Sequence, residues 1–414
     1  MSSEQTMLTP RRLYMDNAAT SFPKPPQVLA AMVRYATELG ASAGRGAYAE
    51  AVETGRLIAS CRERLNQLLK GEDPNHFVFT LNCSDALNLA IKGLLLGPEA
   101  SARGTPHVIC THIDHNSILR PLNALADAGA VEQTRVPVDP RTGLVDPDDV
   151  RRAIRPATKL IAMTHASNVT GTLQPLRAIG AVAREHGVPL LVDAAQSAGH
   201  VPIDVRGDGV DLLAAPGHKG LMGPLGTGFL YIRPGLEKRI APLREGGTGS
   251  VSETDRQPDF MPDRFEPGSH NAIGIAGLGE GVAWVLDQTV EALHQRERDL
   301  VRTFIDGASD VDGLRYFGPQ GVRDRLGVFS VTIDGLPPAD LAAALERDFG
   351  ILCRAGLHCA PLIHAALGTT PAGGTARLSF GPFLSKQDVR YATDALAQIA
   401  MTAAVARPVA MIRP

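Results

Sequence analysis

Long apolar runs are missing from this sequence. No stretch of about 18 such residues occurs, so no membrane-spanning helix is expected. The nearest candidate, residues 399–411, is interrupted by Arg407 and Pro408. The first thirteen residues are polar and lack the apolar centre of a secretory signal. Cysteine is scarce and poorly arranged for cross-linking. Cys61, Cys83, Cys110, Cys353 and Cys359 are odd in number, with no CxxC pair among them, a poor framework for disulfides or structural zinc. A reducing cytoplasm is the expected compartment. Basic clusters are missing as well. A formal net charge of −3 without a Lys/Arg run argues against general polyanion binding, so neither nucleic acid nor membrane is an expected partner.

What is present is a chain of 414 residues, 44% hydrophobic and 21% charged, long enough for two or three domains and a large core. Short apolar runs alternate with helical patterns over the first two-thirds. The runs 76–80, 108–110, 160–163, 190–192, 212–214 and 229–232 read as strands, and residues 26–39 and 52–69 as helices. Such alternation predicts a mainly parallel sheet covered on both faces. Residues 246–267, rich in Gly, Pro, Asp and Ser, read as loop. A helical region from Ile273 towards Ile305, strands at 328–333 and 376–380, and a helix at 386–399 then form a smaller α+β unit.

Two residues suggest chemistry. Asp193 follows the apolar run 188–192, so it lies at the carboxyl end of a strand, where α/β folds place ligands. By itself it also reads as a helix cap. Lys219 is one of only seven lysines and sits in Pro216-Gly217-His218-Lys219-Gly220, after another strand. By itself it also reads as a surface lysine. Together they make a mechanism. An amine in a dry pocket forms an imine with an aldehyde cofactor, and a carboxylate facing a pyridine nitrogen keeps that ring an electron sink.

Six segments, in order, resemble the class V aminotransferase family and, within it, the cysteine desulfurases. They are Tyr14-Met15-Asp16-Asn17-Ala18-Ala19-Thr20, Thr80-Leu81-Asn82-Cys83-Ser84-Asp85-Ala86-Leu87-Asn88, His165-Ala166-Ser167-Asn168-Val169-Thr170-Gly171, Asp193-Ala194-Ala195-Gln196-Ser197, Gly217-His218-Lys219 and Arg354-Ala355-Gly356-Leu357-His358-Cys359-Ala360. The resemblance spans Tyr14 to about Ala397. It implies a fold-type-I pyridoxal 5′-phosphate (PLP) enzyme, aspartate-aminotransferase-like. A large, mainly parallel sheet domain would cover residues 26–270 and a small α+β domain residues 271–414, with residues 1–25 packing on the small one.

The same resemblance assigns roles. Lys219 would bind the cofactor aldehyde and Asp193 its ring nitrogen. His115 would stack on the ring, while Asn168 and Gln196 reach its 3′-oxygen. Cys83, Ser84 and His218 would hold the phosphate, together with Ser269 from a neighbouring subunit, which implies a homodimer with shared sites. Arg377, Ala18 and Asn168 would receive the substrate, and Cys359 would be the sulfur-accepting nucleophile. No metal is implied. L-cysteine would yield L-alanine and a Cys359 persulfide for an acceptor protein. Selenocysteine lyase, a class V aminotransferase or epimerase that does not use Cys359, and a non-catalytic scaffold are the alternatives. Pro216, Tyr48 and Leu384 depart from the desulfurase pattern, where a hydroxyl residue, a histidine and an asparagine are common.

Overall fold

The computed structural model describes residues 12–44, 46–97, 99–100, 104–251 and 253–406. The expected N-terminal segment is thus described from residue 12, and the break at Arg407 and Pro408 lies outside the described residues.

The chain enters with β1 (Leu13–Tyr14), α1 (Pro26–Arg34) and α2 (Ala49–Leu69). There follow β2 (Phe77–Thr80), α3 (Cys83–Leu95), β3 (His107–Thr111), α4 (Asn116–Asp127) and β4 (Glu132–Val136). Next come α5 (Pro147–Ala153), β5 (Thr158–Thr164), α6 (Leu176–Glu185), β6 (Leu190–Asp193), β7 (Leu212–Pro216) and β8 (Gly228–Ile232). Strands β2 to β8 form one sheet in the order β2-β8-β7-β6-β5-β3-β4. Six of them, β2 to β7, run in the same direction, and only β8, paired with both β7 and β2, is antiparallel. Successive side chains of a strand point to opposite faces. Leu190 and Val192 therefore join Leu213 in one core layer, while Leu191 joins Leu212 and Ala214 in the other. Burial on both faces is why these strands are apolar runs and not alternating patterns.

The C-terminal part holds α7 (Ala272–Gln288), α8 (Val290–Ala308), β9 (Leu314–Tyr316), β10 (Val328–Ile333) and α9 (Pro338–Phe349). It ends with β11 (Ile351–Leu352), β12 (Arg354–Gly356), α10 (Pro361–Ala366), β13 (Thr375–Ser379) and α11 (Lys386–Ala406). An antiparallel sheet of order β12-β13-β10-β9 carries this unit. Its core unites Phe304, Phe329, Leu378 and Leu396 with Leu13 and Met15, and β1 pairs with β11.

The long helical region expected from Ile273 is broken at Thr289, whose φ is 59° and whose side chain caps α8 by accepting the Ala292 N–H. Before the break, Leu278 and Val282 of α7 lie in the large-sheet core. No helix among the described residues is long and apolar enough to cross a membrane.

Candidate active site

Sheet register gathers the chemistry. Thr164 of β5 pairs with Asp193 of β6, and Asp193 pairs with Ala214 of β7. On the next rung Pro216 faces Gly228, and Gly228 faces Thr80. Residues just past β3, β5, β6 and β7, and the start of α3 after β2, therefore meet at one edge, the carboxyl ends of the parallel strands. Gly228 lets this happen, because a Cβ there would stand 2.7 Å from the Asn82 carbonyl carbon. The result is an open cleft of about 540 Å³ whose lining includes Cys83, Ser84, His115, Asn168, Asp193, Gln196, His218 and Lys219.

Lys219 keeps partial exposure to this cleft, but protein surrounds its amine, and burial lowers its pKa against the pull of Asp193. Asp193 is 3% exposed, and its Oδ1 accepts the Ala195 N–H at 2.9 Å. The Cys83 thiol donates to the same oxygen at 3.5 Å. Burial and that carboxylate drive the Cys83 pKa well up, which keeps it a protonated thiol and not a thiolate. Asn82 caps this helix by accepting the Asp85 N–H, and the first-turn N–H groups of Cys83 and Ser84 face an anion-favouring helix end. Ser84 Oγ is 2.6 Å from Ser117 Oγ. The His218 Nδ1 has no partner among the described residues. Burial beside Lys219 and Lys24 takes this imidazole down to about 4, leaving it neutral.

His115 caps α4. Its Nδ1 accepts the Ser117 N–H at 3.1 Å, which puts the ring proton on Nε2. Burial lowers its pKa and keeps it neutral. Asn168 Nδ2 donates to the His358 carbonyl at 2.5 Å, and Gln196 Nε2 to the Ala18 carbonyl at 2.9 Å. Each amide thus anchors another segment of the site while lining the cleft. Arg377 is 1% exposed. Its guanidinium reaches Asp16 at 2.6 Å and the Asn168 carbonyl at 3.1 Å, while its Nε is unpartnered among the described residues.

Cys359 is the exposed cysteine. Its carbonyl accepts the N–H of Asn116, next to His115, at 2.9 Å. The turn is strained, since His358 and Cys359 have φ of 50° and 59°, a region that costs a non-glycine residue on the order of 1–2 kcal/mol. Ser269 lines a neighbouring cavity with Arg244, Glu266 and His270, outside the Lys219 cleft of its own chain. Of the departing residues, Pro216 ends β7 and lines the cleft, Tyr48 is an exposed residue before α2, and Leu384 is buried in the small unit. Among the described residues no metal-sized cluster of His, Cys, Asp or Glu occurs.

Three functional neighbours escaped sequence reasoning. Arg354 Nη2 is 3.9 Å from Cys359 Sγ, and its place in the Arg354–Ala360 motif was the available signal. Buried Asp114 accepts the Thr111 and Thr164 N–H groups at 2.6 and 2.7 Å, tying β3 to β5 beneath the cleft. Lys24 donates to the His218 carbonyl at 2.8 Å, and burial brings its pKa to about 8. Nothing local marked either of these two.

The model of the family described as Aminotransferase class-V matches residues 13–391. The chain belongs to that family. A probable cysteine desulfurase of Methanothermobacter thermautotrophicus is 34% identical over 393 residues, covering 94% of each chain. A probable cysteine desulfurase of Halalkalibacterium halodurans is 31% identical over 93% of this chain and 91% of that one. Among solved structures, the apo cysteine desulfurase of Thermococcus onnurineus superposes with a TM-score of 0.86 at 30% identity, over 94% of this chain and 95% of that one. An Escherichia coli cysteine desulfurase gives 0.82 at 28% identity, over 94% of each. These likenesses agree with the α/β architecture and the mostly parallel large sheet described above.

Proposed function

We propose that this protein is a PLP-dependent cysteine desulfurase, converting L-cysteine to L-alanine and carrying the sulfur on Cys359. One observation carries the reading: a desolvated amine and a buried carboxylate share a cleft whose neighbouring segments bring Arg377 and an exposed cysteine. The residues fit the cofactor. Lys219 would hold its aldehyde carbon and Asp193 its ring nitrogen. The Cys83 and Ser84 N–H groups, with the unpartnered His218 Nδ1, would face its phosphate. When bound, PLP supplies the electron sink for carbanion chemistry at Cα.

The chain does the rest. Arg377 binds the substrate carboxylate with its planar fork. Lys219 takes the Cα proton and later returns one. Cys359 Sγ attacks the substrate sulfur, so an S–S bond forms as the Cβ–S bond breaks. The bonding pair stays with carbon, and a proton completes alanine. His115, neutral with its proton on Nε2, moves a proton at the sulfur side. Cys359–S–SH then passes sulfur to a thiol acceptor. Ser269 would serve the cleft of a second copy in a homodimer.

The test is anaerobic incubation with L-cysteine and dithiothreitol, with sulfide and alanine measured for wild type, Cys359→Ala and Lys219→Ala. Equimolar products lost in both variants support the reading. Sulfide release by Cys359→Ala at the wild-type rate would sink the persulfide route.

A further inference from the structure

Cys359 is held by a histidine that the reaction itself does not use. His358 is 3% exposed. Its Nε2 lies 3.1 Å from the Thr375 carbonyl, on β13 two residues before Arg377. A carbonyl only accepts, so Nε2 carries the proton and Nδ1 is a bare lone pair, unpartnered among the described residues. Burial, with Arg377 nearby, takes this imidazole down to about 2. It is therefore neutral at any working pH and unsuited to proton transfer.

The backbone around it is clamped. Asn168 Nδ2 donates to the His358 carbonyl, and the Asn116 N–H to the Cys359 carbonyl. Gly374 presses on the same turn, where a Cβ would stand 2.1 Å from the Gly356 oxygen. His364, fully buried and fixed to Thr369 at 2.8 Å, has its ring centroid 5.6 Å from that of His358. Two successive left-handed residues relax unless the surroundings over-determine them. The imidazole pins this turn directly to the strand carrying Arg377.

We propose that His358 is a positioning residue that fixes the Cys359 thiol against the substrate sulfur, acting on the sulfur-transfer step alone. This rests on the desulfurase reading. It deepens that reading by separating sulfur transfer from the Cα chemistry, which needs Lys219 and Arg377 but not Cys359.

The experiment compares PLP-loaded wild type, His358→Asn and His358→Gln. Asparagine tolerates positive φ but is too short to reach Thr375, whereas glutamine keeps a donor of similar reach. Three quantities are read: sulfide from L-cysteine, exchange of the alanine Cα hydrogen in D₂O, and the visible absorption of the bound cofactor. For His358→Asn, sulfide release falls roughly a hundredfold, as a displacement of about 1 Å produces. Exchange and absorption stay within about twofold of wild type, and His358→Gln recovers part of the loss. Sulfide release unchanged in His358→Asn overturns the proposal, and so does a parallel fall of sulfide and exchange. If His358→Asn does not fold, His364→Leu, which removes the ring behind His358, is read by the same split. Wild type that exchanges alanine but releases no sulfide overturns the desulfurase reading. The positioning role is then read from the rate of Cys359 alkylation by iodoacetamide, which changes in His358→Asn if the turn moves and overturns the proposal if it does not.

Discussion

Lys219 sits deep in the cleft on a turn set by the large sheet, whereas Cys359 stands exposed on a strained turn of the small unit. The amine is surrounded by protein, and its lowered pKa comes from that surrounding. The thiol faces solvent, with the Arg354 guanidinium 3.9 Å from its sulfur. Under the proposed function the two groups have opposite tasks. A base working on Cα gains from exclusion of water, while a sulfur carrier must meet a second molecule. The contrast also divides the labour between the units, since the large sheet supplies the amine and the small sheet supplies Arg377 and the cysteine turn.

Substitutions test that division. Lys219→Ala gives the largest effect, with sulfide release and alanine exchange both falling about 10⁴-fold, the scale of a lost general base, as followed by sulfide assay and NMR. Cys359→Ala breaks the symmetry. Sulfide falls on the order of 10³-fold, the scale on which removing one member of a catalytic unit is felt, while alanine exchange persists. Arg377→Lys keeps the charge but loses the fork. A loss of about 2 kcal/mol in carboxylate binding raises KM about 30-fold, seen in steady-state kinetics for both reactions.

Smaller effects concern the contact between the units. His200, on the loop after β6, lies 3.1 Å from Glu297 on α8. Burial disfavours the charged ring, yet Glu297 outweighs it and raises the His200 pKa, while His200 lowers that of Glu297 against burial. The histidine contribution is full below about 6.5 and is lost as pH rises through its raised value. The glutamate contribution is full above about 4.5 and is lost as pH falls through its lowered value. Glu297→Gln therefore costs about 3 kcal/mol in the window between. The Tm difference from wild type shrinks on the alkaline side, as calorimetry across pH will show. Cys353→Ala is the smallest change. Burial pushes that thiol up to about 12, so the variant keeps its rate within about twofold. Iodoacetamide then labels Cys359 first, by peptide mass spectrometry.

Six strands of the large sheet were legible because each is an apolar run buried on both faces, whereas the edge strand β4, polar and with only Val136 buried, was not. The C-terminal helix was placed at its start but runs to Ala406, seven residues past the expected end. The two-residue strands β1 and β11 were not legible, because they are fixed by each other across more than three hundred residues. In the site, Lys219 and Asp193 announced themselves through a strand end followed by small residues. Lys24 and Asp114 did not, since each works by holding backbone groups of a distant segment. The expected ring-facing amides Asn168 and Gln196 do line the cleft, but each also has a structural bond that no local pattern reveals.

The front of the described chain runs through the candidate active site. Within nine residues, Asp16 holds Arg377, Ala18 receives Gln196, and Ser21 and Lys24 hold the carbonyl beside Lys219. For anyone handling this protein, that is a practical constraint. A fusion junction or trimmed start placed inside residues 12–25 edits the proposed active site, even though it lies nearly two hundred residues from the lysine in the chain. A tag joined after α11 leaves that strap alone.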